Sequence, residues 1–221
     1  MKIFVLTGLV LLAALPAQAS PTVVELFQSQ GCSSCPPAIA NVNALADRPD
    51  ILALSFGVTY WDYLGWKDTF ARPAFTERQR DYARGIHTAV YTPQVVIAGR
   101  AHIVGVDRAE LAAAIARAPV INAPAVTVTG GQVAVSAAAV ANADVWLVRY
   151  DPRVQKVDIG AGENSGVLLA HRNIVRALVR LGAWSGAAQT YALPGGGDPA
   201  WRTAILVQGN GGGPILAAAK L

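Results

Sequence analysis

The chain contains two cysteines, Cys32 and Cys35, and they stand between a strand-like run and a pair of prolines. Thr22-Val23-Val24-Glu25-Leu26-Phe27 is β-branched and apolar, the pattern of a buried strand. Gln28 to Gly31 is a polar turn, and Pro36-Pro37 suit only the first turn of a helix, which Ala38 to Ala46 continue. The pattern predicts strand, turn and helix, with Cys32 at or just before the helix N-terminus and Cys35 one turn in and more buried. Free N–H groups and the helix dipole at that end stabilise a thiolate. By this geometry Cys32 is the attacking thiol and Cys35 the resolving one.

Other uses of the pair stay open at this point. A structural disulfide closing so small a loop contributes only about 2 kcal/mol. Zinc wants four ligands, no second Cys-x-x-Cys exists, and His87, His102 and His171 are scattered. Copper delivery through the two sulfurs and a distant histidine is a third option.

The rest of the first half extends the pattern. Ile51 to Phe56 reads as a second strand parallel to the first, and Pro73 to Arg84 as a helix. Tyr91 to Ile97 is a strand entered through Pro93, and Ala101 to Val104 is its successor. Asp107 and Glu110 form a capping box for a helix that ends at Ala118, before Pro119. The predicted order is β-α-β-α-β-β-α.

Residues 22 to 118 thereby resemble the thioredoxin fold, through the Cys-x-x-Cys at the first helix, Pro93 at the third strand, and Gly99 and Gly105 around the fourth. The resemblance implies that Pro93 is cis and faces the cysteines, and that the backbone of Thr92, with Gln94 beside it, meets an extended substrate. It also implies a buried carboxylate that takes the resolving thiol's proton. Glu25 is the candidate, although it precedes Cys32 by seven residues, one more than the thioredoxin spacing.

A closer resemblance runs through Val24-Glu25-Leu26-Phe27, Ser29-Gln30-Gly31-Cys32-Ser33-Ser34-Cys35-Pro36-Pro37, Tyr60-Trp61-Asp62-Tyr63-Leu64-Gly65-Trp66-Lys67-Asp68, Arg78-Gln79 and Tyr91-Thr92-Pro93-Gln94. These segments look like the secreted proteobacterial family numbered 1223 among domains of unknown function. Trp61, Asp62 and Trp66 lie in the loop after the second strand, on the side where the cysteines emerge. They form either a peptide-binding wall or a small local core.

Beyond residues 119–124, a short linker with a proline at each end, strand signals crowd together with glycine turns. Short strands at this spacing predict a β-sandwich over residues 125–221. Arg172, Arg176 and Arg180 recur like one helical face, yet the segment is read as strand in keeping with its neighbours. The expected architecture is therefore an α/β thioredoxin-like domain over 20–118 followed by an all-β sandwich.

Met1-Lys2, the 13 apolar-dominated residues Ile3–Leu15, Pro16 and Ala17-Gln18-Ala19 read as an export signal over residues 1–19. The apolar run is too short to span a bilayer, so no membrane span is expected after cleavage. A net charge of +4 without any Lys/Arg run gives no electrostatic footprint for nucleic acid. Together these features predict a periplasmic or secreted thiol–disulfide oxidoreductase acting on protein or peptide thiols, reducing or isomerising, with no cofactor and no metal. The rival expectation is a non-catalytic binding or assembly module with an inert cysteine pair.

Overall fold

The computed structural model describes residues 20–119, 124–139 and 142–221. The expected signal segment and most of the linker lie outside the described residues. The first half runs β1 (Thr22–Gln28), α1 (Cys35–Asn43), β2 (Ile51–Gly57), α2 (Pro73–Gly85), β3 (Gln94–Ile97), β4 (Ala101–Ile103) and α3 (Arg108–Ala116). The second runs β5 (Val126–Thr129), β6 (Gln132–Val135), β7 (Ala143–Asp151), β8 (Gln155–Asp158), β9 (Leu168–His171), β10 (Ile174–Trp184), β11 (Gln189–Ala192), β12 (Arg202–Gly209) and β13 (Ile215–Lys220).

The expected pairing of an α/β domain with a separate sandwich is not what forms. Both halves build one mixed sheet of eight strands, ordered β13-β12-β7-β10-β2-β1-β3-β4. The seam is short: Ile174 of β10 pairs with Ser55 of β2 in parallel, and the Ser55 N–H donates to the Asn173 carbonyl at 3.0 Å. Asn173 adds a side-chain bond to the Ala53 carbonyl at 2.9 Å. The physical reason lies in β2, buried at all seven positions. A strand covered on both faces needs its second edge paired as well, and β10 supplies that pairing. Strand β12 carries the same mark, since Ala204 to Gln208 are buried in succession rather than alternately.

The sheet has helix α2 on one face. There Phe27, Phe56, Phe75 and Tyr82 from the first half pack with Val148, Tyr150, Val175 and Leu206 from the second. On the other face, α1 and α3 cover Val24, Leu26, Cys32, Cys35, Ile51 and Ala53. Farther along that face, the three-stranded sheet β11-β6-β5 packs Val133, Val135 and Tyr191 against Val145, Leu147, Ile205 and Val207. Strands β8 and β9 form a separate hairpin whose loop, residues 159–167, crosses to the cysteines. No helix among the described residues is long and apolar enough to cross a membrane.

Candidate functional site

Helix α1 begins at Cys35, one turn later than the sequence suggests. Cys32 belongs to the preceding turn, where its carbonyl accepts the Cys35 N–H at 3.1 Å, and Pro36 and Pro37 occupy the first helical turn. Both thiols are free and both are enclosed, Cys32 at 1% exposure and Cys35 at 0%. Surface exposure therefore does not distinguish them; the balance between burial and the bonds at each sulfur does. Cys32 Sγ lies 3.2 Å from the Ser34 hydroxyl and, as a thiol, donates to the Thr92 carbonyl at 3.8 Å. A hydrogen bond from the Cys35 thiol is the largest influence on Cys32 and holds it down at about 6 against the cost of burial. Bonds from Ser34 and Thr92 act in the same direction. Burial drives Cys35 strongly upward, as do its bond to Cys32 and the charge there. One sulfur is set to be an anion and the other to stay protonated.

The Thr92–Pro93 bond is cis, and the turn it makes lies against Cys32 and Ser34. Helix α2 fixes this turn from behind: Gln79 Nε2 donates to the Tyr91 carbonyl at 2.7 Å and to Gln94 Oε1 at 2.8 Å. Gln94, expected beside the substrate, is instead fully buried and also bonds the Ala89 carbonyl, so it supports the turn from inside. Strand parity explains this, because Gln94 pairs with Phe27 and shares its α2-side face.

The same parity removes Glu25 from the thiols. Val24 and Leu26 flank it and point to the cysteine layer, so Glu25 points to the other. There its carboxylate lies 2.7 Å from Arg78 Nε and also accepts from Tyr82, with all three groups buried. Glu25 is half of a buried ion pair on the α2 side of the sheet, turned away from the cysteine layer.

The aromatic loop divides into two roles. Trp61 is half-buried, packs against the cysteine layer and donates its Nε1–H to Thr92 Oγ1 at 2.7 Å. Trp66 instead donates to Gln30 Oε1 at 2.9 Å, with its ring against Gly160. Asp62 turns inward to accept the Asp68 N–H at 3.2 Å. Asp68, buried, receives the N–H groups of Gln30, Phe70 and Ala71, and burial raises its carboxyl.

The loop after β8 was not recognisable from sequence as part of the site. The Glu163 carboxylate accepts the N–H and hydroxyl of Ser33 at 2.9 and 2.8 Å. Asn164 is buried, and its side-chain amide donates to the carbonyls of Gln30 and Cys32 at 2.9 and 2.7 Å. Only a polar turn, Glu163-Asn164-Ser165-Gly166, marked this stretch. The three histidines do not gather. His171 is buried edge-on to Phe70, and burial holds it down at about 4. Among the described residues no group of three or more His, Cys, Asp or Glu is placed to hold a metal ion.

Fold and site together define a three-layer mixed-sheet protein with a buried, asymmetric dithiol joined by loops from both halves. Residues 23–208 match the model of "Protein of unknown function (DUF1223)", and the chain belongs to that family. It is similar to a crystal structure of an Agrobacterium tumefaciens protein, with 33% identity and a TM-score of 0.71 over 92% of this chain and 95% of that one. HBP35 of Porphyromonas gingivalis shares the fold at 13% identity and a TM-score of 0.55, over 92% of this chain and 75% of that one. No curated protein matches the chain.

Proposed function

We propose that this chain is an exported thiol–disulfide oxidoreductase acting on protein or peptide disulfides, and that its cysteine half is related to the thioredoxin superfamily. The observation that carries this reading is the arrangement of the pair at the start of α1: Cys32 Sγ lies 3.2 Å from the Ser34 hydroxyl and 3.8 Å from the Thr92 carbonyl, and its surroundings hold it down at about 6 while burial drives Cys35 upward. The element order β1-α1-β2-α2-β3-β4-α3, with the Thr92–Pro93 turn against Cys32, supports the superfamily relation. Export rests on the Ala17-Gln18-Ala19 pattern after the apolar segment.

In this reading the Cys32 thiolate attacks one sulfur of a substrate disulfide. A Cys32–substrate bond forms, the substrate S–S bond breaks, and the other substrate sulfur leaves as a thiolate. That step removes the negative charge beside Cys35. Cys35 then attacks Cys32 Sγ, its proton passes to the departing substrate sulfur, and a Cys32–Cys35 disulfide remains. The substrate gains two electrons and the pair loses two; an external dithiol resets it.

The enclosure of both sulfurs favours the rival reading, an inert pair in a binding module. Incubating the reduced protein with a disulfide-bonded peptide decides between them. Peptide reduction matched by Cys32–Cys35 disulfide formation, and lost in Cys32→Ser, is expected. An unreduced peptide beside thiols that still alkylate would leave the binding module standing.

A further inference from the structure

The turn that carries Cys32 is held both by the start of its own helix and by a loop about 130 residues further along the chain. The loop is closed on itself: Gly166 N–H donates to the Ile159 carbonyl at 2.7 Å and Ile159 N–H to the Val167 carbonyl at 3.0 Å. Its Gly162, at φ +75°, lies against the backbone of Gly31, where an ideal Cβ would sit 3.5 Å from the Gly31 Cα. Asn164 projects from this frame, and its two amide bonds span residues 30 to 32. The carbonyls of Gln30 and Cys32 find that amide donor on one side, while Asp68 takes the Gln30 N–H on the other.

We propose that Asn164 is a positioning residue of the thiol site: by clamping the Gln30 and Cys32 carbonyls, it holds Cys32 where Cys35, Ser34 and Thr92 reach its sulfur. The assignment deepens the oxidoreductase reading and rests on Cys32 being the attacking thiol. A thiolate depends on several short contacts at once, so a displaced Cys32 backbone loses them together. The ionisable groups around the sulfur are Cys35 on α1, Tyr60 after β2 and Glu163 on the same loop as Asn164. Thr92 and Ser34 contribute only neutral groups. Replacing Asn164 by an apolar residue changes none of these charges, so any shift reports position.

The test is the pH profile of Cys32 alkylation by iodoacetamide in the full chain with Cys35 intact, the site of alkylation read by mass spectrometry. Asn164→Ala and the better-filling Asn164→Leu are compared with Asn43→Ala. Asn43 ties the same hairpin to α1, through the Ala170 carbonyl at 2.8 Å and the Arg172 N–H at 2.9 Å, without touching the cysteine turn. The profile midpoint, near 6 in the parent chain, is expected to rise by about one pH unit or more towards the ordinary thiol value in both Asn164 variants, and to stay in place in Asn43→Ala. An unmoved midpoint in a folded Asn164 variant, or an equal rise in Asn43→Ala, overturns the assignment. Alkylation reads the thiol and not exchange. A protein with the expected profiles that reduces no peptide therefore refutes the oxidoreductase reading and leaves the role of Asn164 intact.

Discussion

Trp61 Nε1 donates to Thr92 Oγ1 at 2.7 Å, linking the aromatic loop after β2 to the turn that faces Cys32. Because Thr92 Oγ1 accepts from the indole, its own proton is free to turn towards the sulfur, and the Thr92 side chain is among the groups that hold Cys32 down. Trp61→Phe keeps a ring against the cysteine layer and deletes this bond. We expect disulfide exchange to slow by about fivefold, the rate equivalent of one ordinary hydrogen bond. Peptide reduction measured by stopped flow checks this, and an unchanged rate would detach Trp61 from the chemistry.

The Glu25–Arg78 pair is fully enclosed, and Arg78 also bonds Gln208 Oε1 at 3.0 Å and the Tyr82 hydroxyl at 3.1 Å. Removing one member strands a buried charge. Arg78→Ala is expected to cost about 3–5 kcal/mol, whereas Glu25→Leu with Arg78→Met recovers most of that loss. Denaturant unfolding of the single and double variants measures both values. Because the pair lies on the α2 side, the double variant retains peptide-reducing activity, which would fail if Glu25 served Cys35.

His171 gives the fold a pH limb. Its imidazole is held at about 4 by burial, below its ordinary 6.5. The unfolded chain therefore binds a proton between those values that the folded chain refuses. The stability is complete above about pH 6.5 and is lost as pH falls towards 4, roughly 3 kcal/mol in all. His171→Phe, a ring beside Phe70, is expected to flatten that part of the profile. Unfolding free energies of both proteins at pH 7 and pH 4.5 give the comparison, and parallel profiles would contradict the assignment.

The strands were legible because apolar, β-branched runs mark them. Residues 174–184 form β10 despite the i+4 arginines, with bulges between Val175 and Ala177 and between Arg180 and Gly182. The cysteine turn and the Pro93 turn were legible from their prolines. The joining of the halves was not, because the sheet seam is a single backbone pairing, Ile174 with Ser55, and the core shared across it is built from residues far apart in sequence, which no local pattern encodes. Its trace was the unbroken apolar run Ala204-Ile205-Leu206-Val207, characteristic of an interior strand more than of a sandwich face. Glu25 and Gln94 were misplaced through strand parity, which a motif match does not test. Asn164 and Glu163 were invisible, because only the folded β8–β9 hairpin brings them to Cys32.

The central claim is that Cys32 attacks and Cys35 resolves, and a trapping experiment tests it most directly. Reduced Cys35→Ser and Cys32→Ser proteins are each mixed at neutral pH with a disulfide-bonded peptide and analysed by intact and tandem mass spectrometry. The account predicts a stable peptide adduct on Cys32 in Cys35→Ser. Cys32→Ser should give little or none, because burial keeps the Cys35 thiol protonated. Equal adducts on both variants, or none on Cys32, would contradict it.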